Sequence, residues 1–234
     1  MKRVIPVAGT AAVLLVVLTA CGLGLDPGPQ TTQQRTVAGV HAVVLQTSGD
    51  LTIERGDSES LTIDAGTNII DRLTSEVVDG TLVLDAEGSF NSGSIRYTLT
   101  VLDLDRVELA GSGNVTGAGV LSGDATLTLS GSGNLTVTDL RLTSLTADLS
   151  GSGTARVTGS GSSSTLVVSG SGDFEGTDLA TERTQVDVSG SGHARVNASE
   201  ELTATVTGSG DVIYTGDPAS VQRARTGSGD IVAG

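Results

Sequence analysis

The tripeptide Gly-Ser-Gly recurs at an almost constant interval through the second half of the chain. Its seven copies begin at Gly111, Gly131, Gly151, Gly170, Gly190, Gly208 and Gly227. A period of about 20 residues without helix signals is typical of a solenoid, in which each coil buries its apolar face only against neighbouring coils. The repeat therefore predicts a stack of coils built from short strands.

Apolar residues stand at alternate positions on both sides of each Gly-Ser-Gly. Two residues before the first Gly lie Leu109, Leu129, Leu149, Val168, Val188 and Val206. Four residues after it lie Val115, Leu135, Ala155, Phe174, Ala194, Val212 and Ile231. The intervening residues, such as Glu108 and Thr128, are mostly polar, and a period of two marks a strand with one buried face. Each coil is thus predicted to be a strand, a Gly-Ser-Gly corner and a second strand.

The corner glycines are expected to supply positive φ angles and a close approach between backbones of neighbouring coils. The serines between them would stack along the axis as a surface ladder of hydroxyl groups, formed by Ser112, Ser132, Ser152, Ser171, Ser191, Ser209 and Ser228. Seven residues after the first Gly, a threonine ladder is expected from Thr138, Thr158, Thr177 and Thr215.

The residue after each corner belongs to types that favour turns. This column contains Asn114, Asn134, Thr154, Asp173, His193, Asp211 and Asp230. Its aspartates could instead bind Ca²⁺ through carboxylate and carbonyl oxygens, although the longer period of this chain differs from the nine-residue repeat of calcium-binding rolls. We interpret His193 as an exposed turn residue rather than a general base, and we predict no metal or cofactor site.

Both ends of the repeat region depart from the pattern. The segment 43–53 aligns with a coil if Thr47 replaces the first Gly, and the stretch from Thr47 to Gly111 is long enough for three coils. Asp79-Gly80 is a predicted hairpin turn within this irregular N-terminal cap.

At the other end, Arg223 and Arg225 occupy columns that elsewhere hold apolar residues. They are either inward-pointing charges that discourage edge pairing or the result of a local register shift.

Residues 1–20 have the features of a secretory signal peptide. A basic pair, Lys2-Arg3, precedes an apolar run that is too short to span a bilayer, and the segment ends Leu-Thr-Ala before Cys21. Small residues before a cysteine resemble the bacterial lipoprotein cleavage site, at which the cysteine is lipidated and becomes the new N-terminus. We therefore predict lipidation at Cys21, a flexible tether over residues 21–36, and a β-domain over residues 37–234.

The composition excludes several classes of function. The formal net charge of −14 argues against nucleic acid or an anionic lipid surface as a partner. A single cysteine cannot form a disulfide within the chain, and with His41 and His193 as the only histidines no Cys/His metal cluster can form. Aromatic residues are only 2% of the chain, so the stacking platforms that sugar-processing enzymes use are missing.

Several motifs occur in the order found in one bacterial family. Gly49-Asp50-Leu51-Thr52-Ile53 is followed by Val78-Asp79-Gly80-Thr81-Leu82, then by the repeated Ser-Gly-Ser-Gly, and finally by a segment ending Gly216-Asp217-Pro218. Over residues 36–234 this order resembles the autotransporter-adhesin head domain, or GIN domain. The resemblance implies a parallel β-helix-like domain on exported or lipid-anchored proteins, and it supplies no catalytic residues.

These observations predict an all-β fold, a right-handed parallel β-helix-like solenoid with coils of about 20 residues and an irregular N-terminal β cap. The favoured function is that of a non-catalytic surface protein, lipid-anchored outside the bacterial cytoplasmic membrane, which binds an envelope glycan or protein or another cell. The alternative is a carbohydrate-active β-helix enzyme, a lyase or hydrolase, which only analogy of fold suggests. A passive structural lipoprotein is a third hypothesis that the sequence does not separate from the first.

Overall fold

The computed structural model describes residues 26–88 and 93–234 of the chain. These residues form a β-solenoid with about 6 turns and coils of about 20 residues, which confirms the predicted fold class. The strands are β1 (Gln30–Arg35), β2 (Ala42–Leu45), β3 (Asp50–Arg55), β4 (Ser60–Gly66), β5 (Leu73–Val78), β6 (Thr81–Ala86), β7 (Arg96–Val101), β8 (Leu104–Leu109), β9 (Val115–Ala118), β10 (Leu121–Leu129), β11 (Leu135–Leu149), β12 (Thr154–Val168), β13 (Asp173–Val188), β14 (Ala194–Val206), β15 (Val212–Thr215), β16 (Ser220–Arg225) and β17 (Ile231–Ala233). A short 3-10 helix (Ile70–Arg72) precedes β5. The right-handed sense of the coil stays a prediction.

Two long sheets meet at the Gly-Ser-Gly corners. The first sheet contains β5, β6, β2, β8 and β10, then the C-terminal halves of β11 to β14, and finally β16. The second sheet contains β1, β4, β7, β3 and β9, then the N-terminal halves of β11 to β14, and finally β15 and β17. Most neighbours are parallel. The strands β11 to β14 belong to both sheets because a register shift bends each of them between its two halves.

The apolar columns predicted from the sequence form the core. The residue two positions before each of the first six corners is buried, from Leu109 to Val206, and so is the residue four positions after each corner, from Val115 to Ile231. Burial of an aliphatic side chain contributes about 1.5–3 kcal/mol. Since each coil contributes several such residues to one continuous cluster, the stack of coils is the source of stability and no coil is a separate unit.

The order of coils at the N-terminal end differs from the sequence prediction. The Thr47 corner lies directly on the first Gly-Ser-Gly corner, since the amide of Gly113 donates to the Thr47 carbonyl at 3.3 Å and Leu45 pairs with Leu109. The alignment of Thr47 with a corner glycine is therefore confirmed. The stretch from Thr47 to Gly111, although long enough for three coils, places no coil between these two corners. The strands β6 and β7 instead pair with the opposite edges of β2 and β3.

Antiparallel strands cover this end of the solenoid. The predicted hairpin is present, with Asp79 and Gly80 both at positive φ (48° and 76°), as a type I′ turn requires, between β5 and β6. On the second sheet, β1 pairs with β4 and β4 pairs with β7, in both cases antiparallel. Residues 30–35, which the sequence suggested as part of a tether, thus form the outermost strand of the cap.

The C-terminal end keeps the register of the repeat. Arg223 pairs with Ala204 and Arg225 pairs with Val206, so both arginines occupy the inward columns and no register shift is present between β14 and β16. Both side chains are exposed, and no coil within residues 26–88 and 93–234 stacks on them. In the described chain the first sheet therefore ends on a charged rung, which discourages edge pairing.

Candidate functional site

Close contact between backbones explains the two glycines of each corner. A Cβ at Gly131 would lie 1.8 Å from the carbonyl oxygen of Gly111, and a Cβ at Gly133 would lie 1.6 Å from that of Gly113. The corner glycines are not among the residues with positive φ, so the prediction of positive φ at these positions is wrong. Glycine is required because any side chain would overlap the coil below.

Backbone hydrogen bonds run continuously along the corners. From Ser132 onward, the amide of each corner serine donates to the carbonyl of the first glycine one coil earlier, at 3.2 Å for Ser132 and 3.0 Å for Ser228. The backbone at the corners is thereby held at the spacing of neighbouring strands, about 4.8 Å. Side chains at the corners are consequently presented at a regular and rigid interval.

The seven ladder serines predicted from the sequence are all exposed. Ser48 of the Thr47 corner is exposed as well and extends the row by one coil. A second row lies one position before the first glycine of the corners from Gly131 onward, where each residue is an exposed Ser or Thr: Ser130, Ser150, Ser169, Ser189, Thr207 and Thr226. We refer to the two rows together as the serine corner. The second row was missed in the sequence, although its signal is the Ser or Thr that precedes these six Gly-Ser-Gly copies.

The turn column beside the serine corner is a ladder of hydrogen bonds between side chains and backbone. Asp173 Oδ1 accepts from the amide of His193 at 2.8 Å, His193 Nδ1 accepts from the amide of Asp211 at 3.1 Å, and Asp211 Oδ1 accepts from the amide of Asp230 at 2.7 Å. Asn114 and Asn134 take part in the same way near the other end. This position of the coil therefore requires a side chain that accepts a hydrogen bond from the next coil. That structural role explains why His193 can stand among asparagines and aspartates.

The aspartates of this column do not form a metal centre in the described structure. His193 separates Asp173 from Asp211 in the stack, and Asp230 makes an ion pair with Arg225. Residues 26–88 and 93–234 contain no cluster of three or more His, Cys, Asp or Glu side chains suited to a metal ion. The Ca²⁺ hypothesis therefore gains no support from this geometry.

The threonine ladder takes part in the second bend of the coil. Thr158 Oγ1 accepts from the amide of Asp139 at 3.3 Å, and Thr215 Oγ1 donates to the carbonyl of Val196 at 3.3 Å. Because these hydroxyls are used in holding neighbouring coils together, they are less available to a ligand than the serine corner.

The predicted lipidation site lies outside the described residues, as does the signal peptide. Cys21 and residues 1–20 precede the first described residue, Asp26. Within the described part of the chain, no helix combines the length and the hydropathy that crossing a bilayer requires.

The fold and its corners define a parallel β-solenoid that presents a polar ridge. Residues 40–218 match the family described as putative auto-transporter adhesin, head GIN domain. The chain belongs to this family, as the motifs in its sequence suggested.

Solved structures show the same fold. A putative adhesin from Bacteroides fragilis superposes with a TM-score of 0.86 at 24% identity, over 90% of this chain and 100% of that one. A putative lipid binding protein from Parabacteroides distasonis gives a TM-score of 0.73 at 23% identity, over 90% and 99% of the two chains. A putative adhesin from Parabacteroides merdae gives 0.68 at 20%, over 88% and 97%. No curated protein matches the sequence.

Proposed function

We propose that this protein is an exported, lipid-anchored surface protein whose solenoid binds an envelope glycan or protein without catalysing a reaction. The observation that carries the proposal is the serine corner, a double row of exposed hydroxyl groups along a rigid ridge. Membership of an adhesin family supports a binding role and a location at the surface or outside the cytoplasm.

The geometry of the ridge suits an extended, repetitive ligand. Each hydroxyl is both a donor and an acceptor, and the coils repeat them at about 4.8 Å. One such contact contributes little to affinity, but contacts that engage in register along a rigid ridge add together. A polymer with regularly spaced polar groups is therefore the ligand class that fits the serine corner.

The charge of the protein limits its partners. With a formal net charge of −14, the chain repels polyanions, so the proposal excludes nucleic acid and favours a neutral or basic partner. We assign contact with the membrane to the lipid on Cys21, the residue that follows the signal peptide over residues 1–20.

Support for the enzyme alternative is weaker. The recurrent carboxylates Asp148 and Asp187 are exposed and belong to separate coils, with Val167 between them in the same column. The family is described as an adhesin head domain, and the solved structures from Bacteroides fragilis and Parabacteroides merdae are described as putative adhesins. None of these descriptions names an enzyme. We therefore propose no reaction, and no cofactor, for this chain.

The anchor is tested by a substitution at the cysteine. The full chain and its Cys21→Ala variant are expressed in a bacterium that processes lipoproteins, with radiolabelled palmitate in the medium. We expect label and membrane association in the parent protein and in a Ser132→Ala control, and neither in Cys21→Ala. Equal labelling of Cys21→Ala would contradict the anchor and leave the binding role untouched.

The binding role is tested by capture. The immobilised chain is incubated with solubilised bacterial envelope and with host-matrix proteins and glycans. The corner variant replaces Ser132, Ser152, Ser171 and Ser191 with Ala, and the control replaces the outward threonines of the second sheet, Thr52, Thr98, Thr116 and Thr136, with Val. We expect a partner captured by the parent and the control but lost from the corner variant. No captured partner, or equal capture by the corner variant, would contradict the proposal.

A further inference from the structure

The chain is fixed to the N-terminal cap from Asp26 onward. The backbone amide of Asn68 donates to the Pro27 carbonyl at 3.0 Å, and its side-chain amide donates to the Asp26 carbonyl at 3.0 Å. The amide of Thr67 donates to the Pro29 carbonyl at 2.9 Å, and the strand β1 begins directly afterwards. This part of the predicted tether is thus held against the loop that follows β4.

Only a short link remains between this fixed point and the proposed lipidation site. Cys21 and Asp26 are five residues apart in the sequence. A fully extended chain advances by about 3.3–3.6 Å per residue, so the link spans at most about 18 Å. A lipid on Cys21 would therefore keep Asp26 within about 18 Å of the membrane surface.

The fixed point lies at one end of the serine corner. A Cβ at Gly93 would lie 3.0 Å from the Pro27 side chain, so the segment before β7 packs against the fixed point. In the same segment, the Ile95 carbonyl accepts the amide of Asp50, which follows the Thr47 corner, at 2.9 Å. The order along this edge of the solenoid is therefore the fixed point, the segment before β7, the Thr47 corner and then the Gly-Ser-Gly corners.

The serine corner consequently runs away from the fixed point. Ser48 lies at its near end and Ser228 at its far end, and both side chains are exposed. The corners between them make seven strand spacings of about 4.8 Å, so these two serines are about 34 Å apart. This length is large compared with the reach of the link to Cys21.

The charges beside the serine corner disfavour its contact with lipid along its length. Asp148 and Asp187 are exposed next to it on the first sheet, and Asp50 is exposed next to it on the second. With a formal net charge of −14, the protein is repelled by a bilayer that contains anionic lipids. Contact through the end that carries Asp26 brings fewer of these carboxylates to the lipid than contact along either flank.

We propose that the N-terminal cap is the membrane-facing end of the protein and that the serine corner extends outward from the lipid surface, with Ser228 farthest from it. This orientation rests on the proposed lipid at Cys21. It deepens the proposed function, because the coils near Ser228 are then the part of the ridge that a partner outside the membrane meets first.

Energy transfer from the protein to the membrane measures this orientation. The lipidated protein is inserted into vesicles of phosphatidylcholine and phosphatidylglycerol that carry an acceptor dye on their headgroups. Three variants, Ser48→Cys, Ser152→Cys and Ser228→Cys, are each labelled with the same donor dye. Cys21 is the only native cysteine and its thiol is occupied by lipid, so each variant has one free thiol. We expect transfer to be strongest from the label at position 48, weaker from position 152 and weakest from position 228.

The three labelled positions are matched, because each is an exposed serine at the middle of a corner. Thermal unfolding shows whether each variant is folded, and Ser112→Cys replaces Ser48→Cys if the latter is not. In a further variant, a Gly/Ser insert between Cys21 and Asp26 triples the length of the link, which should lower the transfer from position 48.

Equal transfer from the three positions, or the strongest transfer from position 228, would overturn the proposal, as would unchanged transfer from position 48 when the link is lengthened. If transfer is equal but the protein carries lipid and captures an envelope partner, the orientation fails and the proposed function stands. If Cys21 carries no lipid, the anchor and the orientation both fail. If the predicted order is found but no partner is captured, the binding role fails and the orientation holds.

Discussion

The guanidinium of Arg223 lies 5.1 Å from the centroid of the Tyr214 ring and donates to its hydroxyl. Tyr214 is buried in the last full coil, whereas Arg223 belongs to the exposed strand β16. A cation over an aromatic face is attracted to it. The contact therefore places a positive charge over the apolar end of the core, where another coil would otherwise stack.

Removal of this charge should expose an edge that associates. We expect the double variant Arg223→Val, Arg225→Val to self-associate in a concentration-dependent manner, because it continues the apolar columns onto an unpaired edge strand. Analytical ultracentrifugation measures the change. The exposed Arg141, which lies away from this edge, supplies an Arg141→Val control that should stay in the parent's state. A double variant that sediments like the parent would contradict the role of the two arginines.

Replacement of a corner glycine should be severely destabilising. Gly133→Ala places a Cβ 1.6 Å from the carbonyl oxygen of Gly113, and a backbone atom cannot move aside without displacing its coil. We expect the free energy of unfolding to fall by about 3 kcal/mol or more, at the upper end of overpacking effects. Gly161→Ala, whose Cβ would have its nearest contact at 3.4 Å, should change it by less than about 1 kcal/mol. Denaturant unfolding measures both, and equal losses would show that close approach is not the reason for the glycine.

The turn column allows its structural role to be separated from Ca²⁺ binding. Asp211→Leu removes the acceptor for the amide of Asp230 and should cost about 1 kcal/mol, whereas Asp211→Asn keeps an acceptor oxygen, as Asn114 does, and should cost less than about 0.5 kcal/mol. Addition of millimolar CaCl₂ should leave the melting temperature of the parent unchanged. A rise in melting temperature that Asp211→Asn abolishes would instead indicate that the aspartates bind the ion.

Tyr97 should make stability depend on pH in the alkaline range. Burial raises the pKa of its hydroxyl above 10.0, against a smaller opposing effect of the Thr47 hydroxyl. The folded state thus holds the proton more tightly than the unfolded state, so this contribution is complete below pH 10 and is lost as pH rises through the folded pKa. Urea unfolding from pH 8 to pH 11.5 should show a decline that is shallower in Tyr97→Phe. Parallel curves for the two proteins would contradict the assignment.

The parts of the fold that repeat could be predicted from the sequence, because each coil places the same residue type in the same environment. Leu129 and Val168 occupy equivalent positions at a spacing that only a stack of coils satisfies. The order of coils around Thr47 could not be predicted, since strands far apart in the chain pair there and nothing local specifies which edge of β2 receives β6. The polar sequence of the outermost strand β1 has no apolar face, so the sequence alone predicts a tether there and not a strand.

The candidate site could likewise be predicted only where its residues repeat from coil to coil. The row from Ser112 to Ser228 is visible as a repeat, and its exposure follows from the corner geometry. Ser164, Thr181 and Thr184 are buried and hydrogen-bonded to one another, but no other described coil repeats this arrangement, so in the sequence these residues look like ordinary surface positions. The φ angles of the corner glycines could not be predicted either, because a glycine can be required by close approach of another backbone as readily as by a positive φ.

The central claim is that the serine corner is the binding surface, and a graded affinity measurement tests it most directly. The captured partner is titrated against the immobilised full chain by biolayer interferometry, with two and then four of Ser132, Ser152, Ser171 and Ser191 replaced by Ala. We expect the dissociation constant to rise by about tenfold when the first two serines are replaced, since each lost hydrogen bond costs about 0.5–1.5 kcal/mol. It should rise further when all four are replaced. The control with four threonines of the second sheet replaced by Val should bind like the parent. A dissociation constant that does not change when all four serines are removed would contradict the claim.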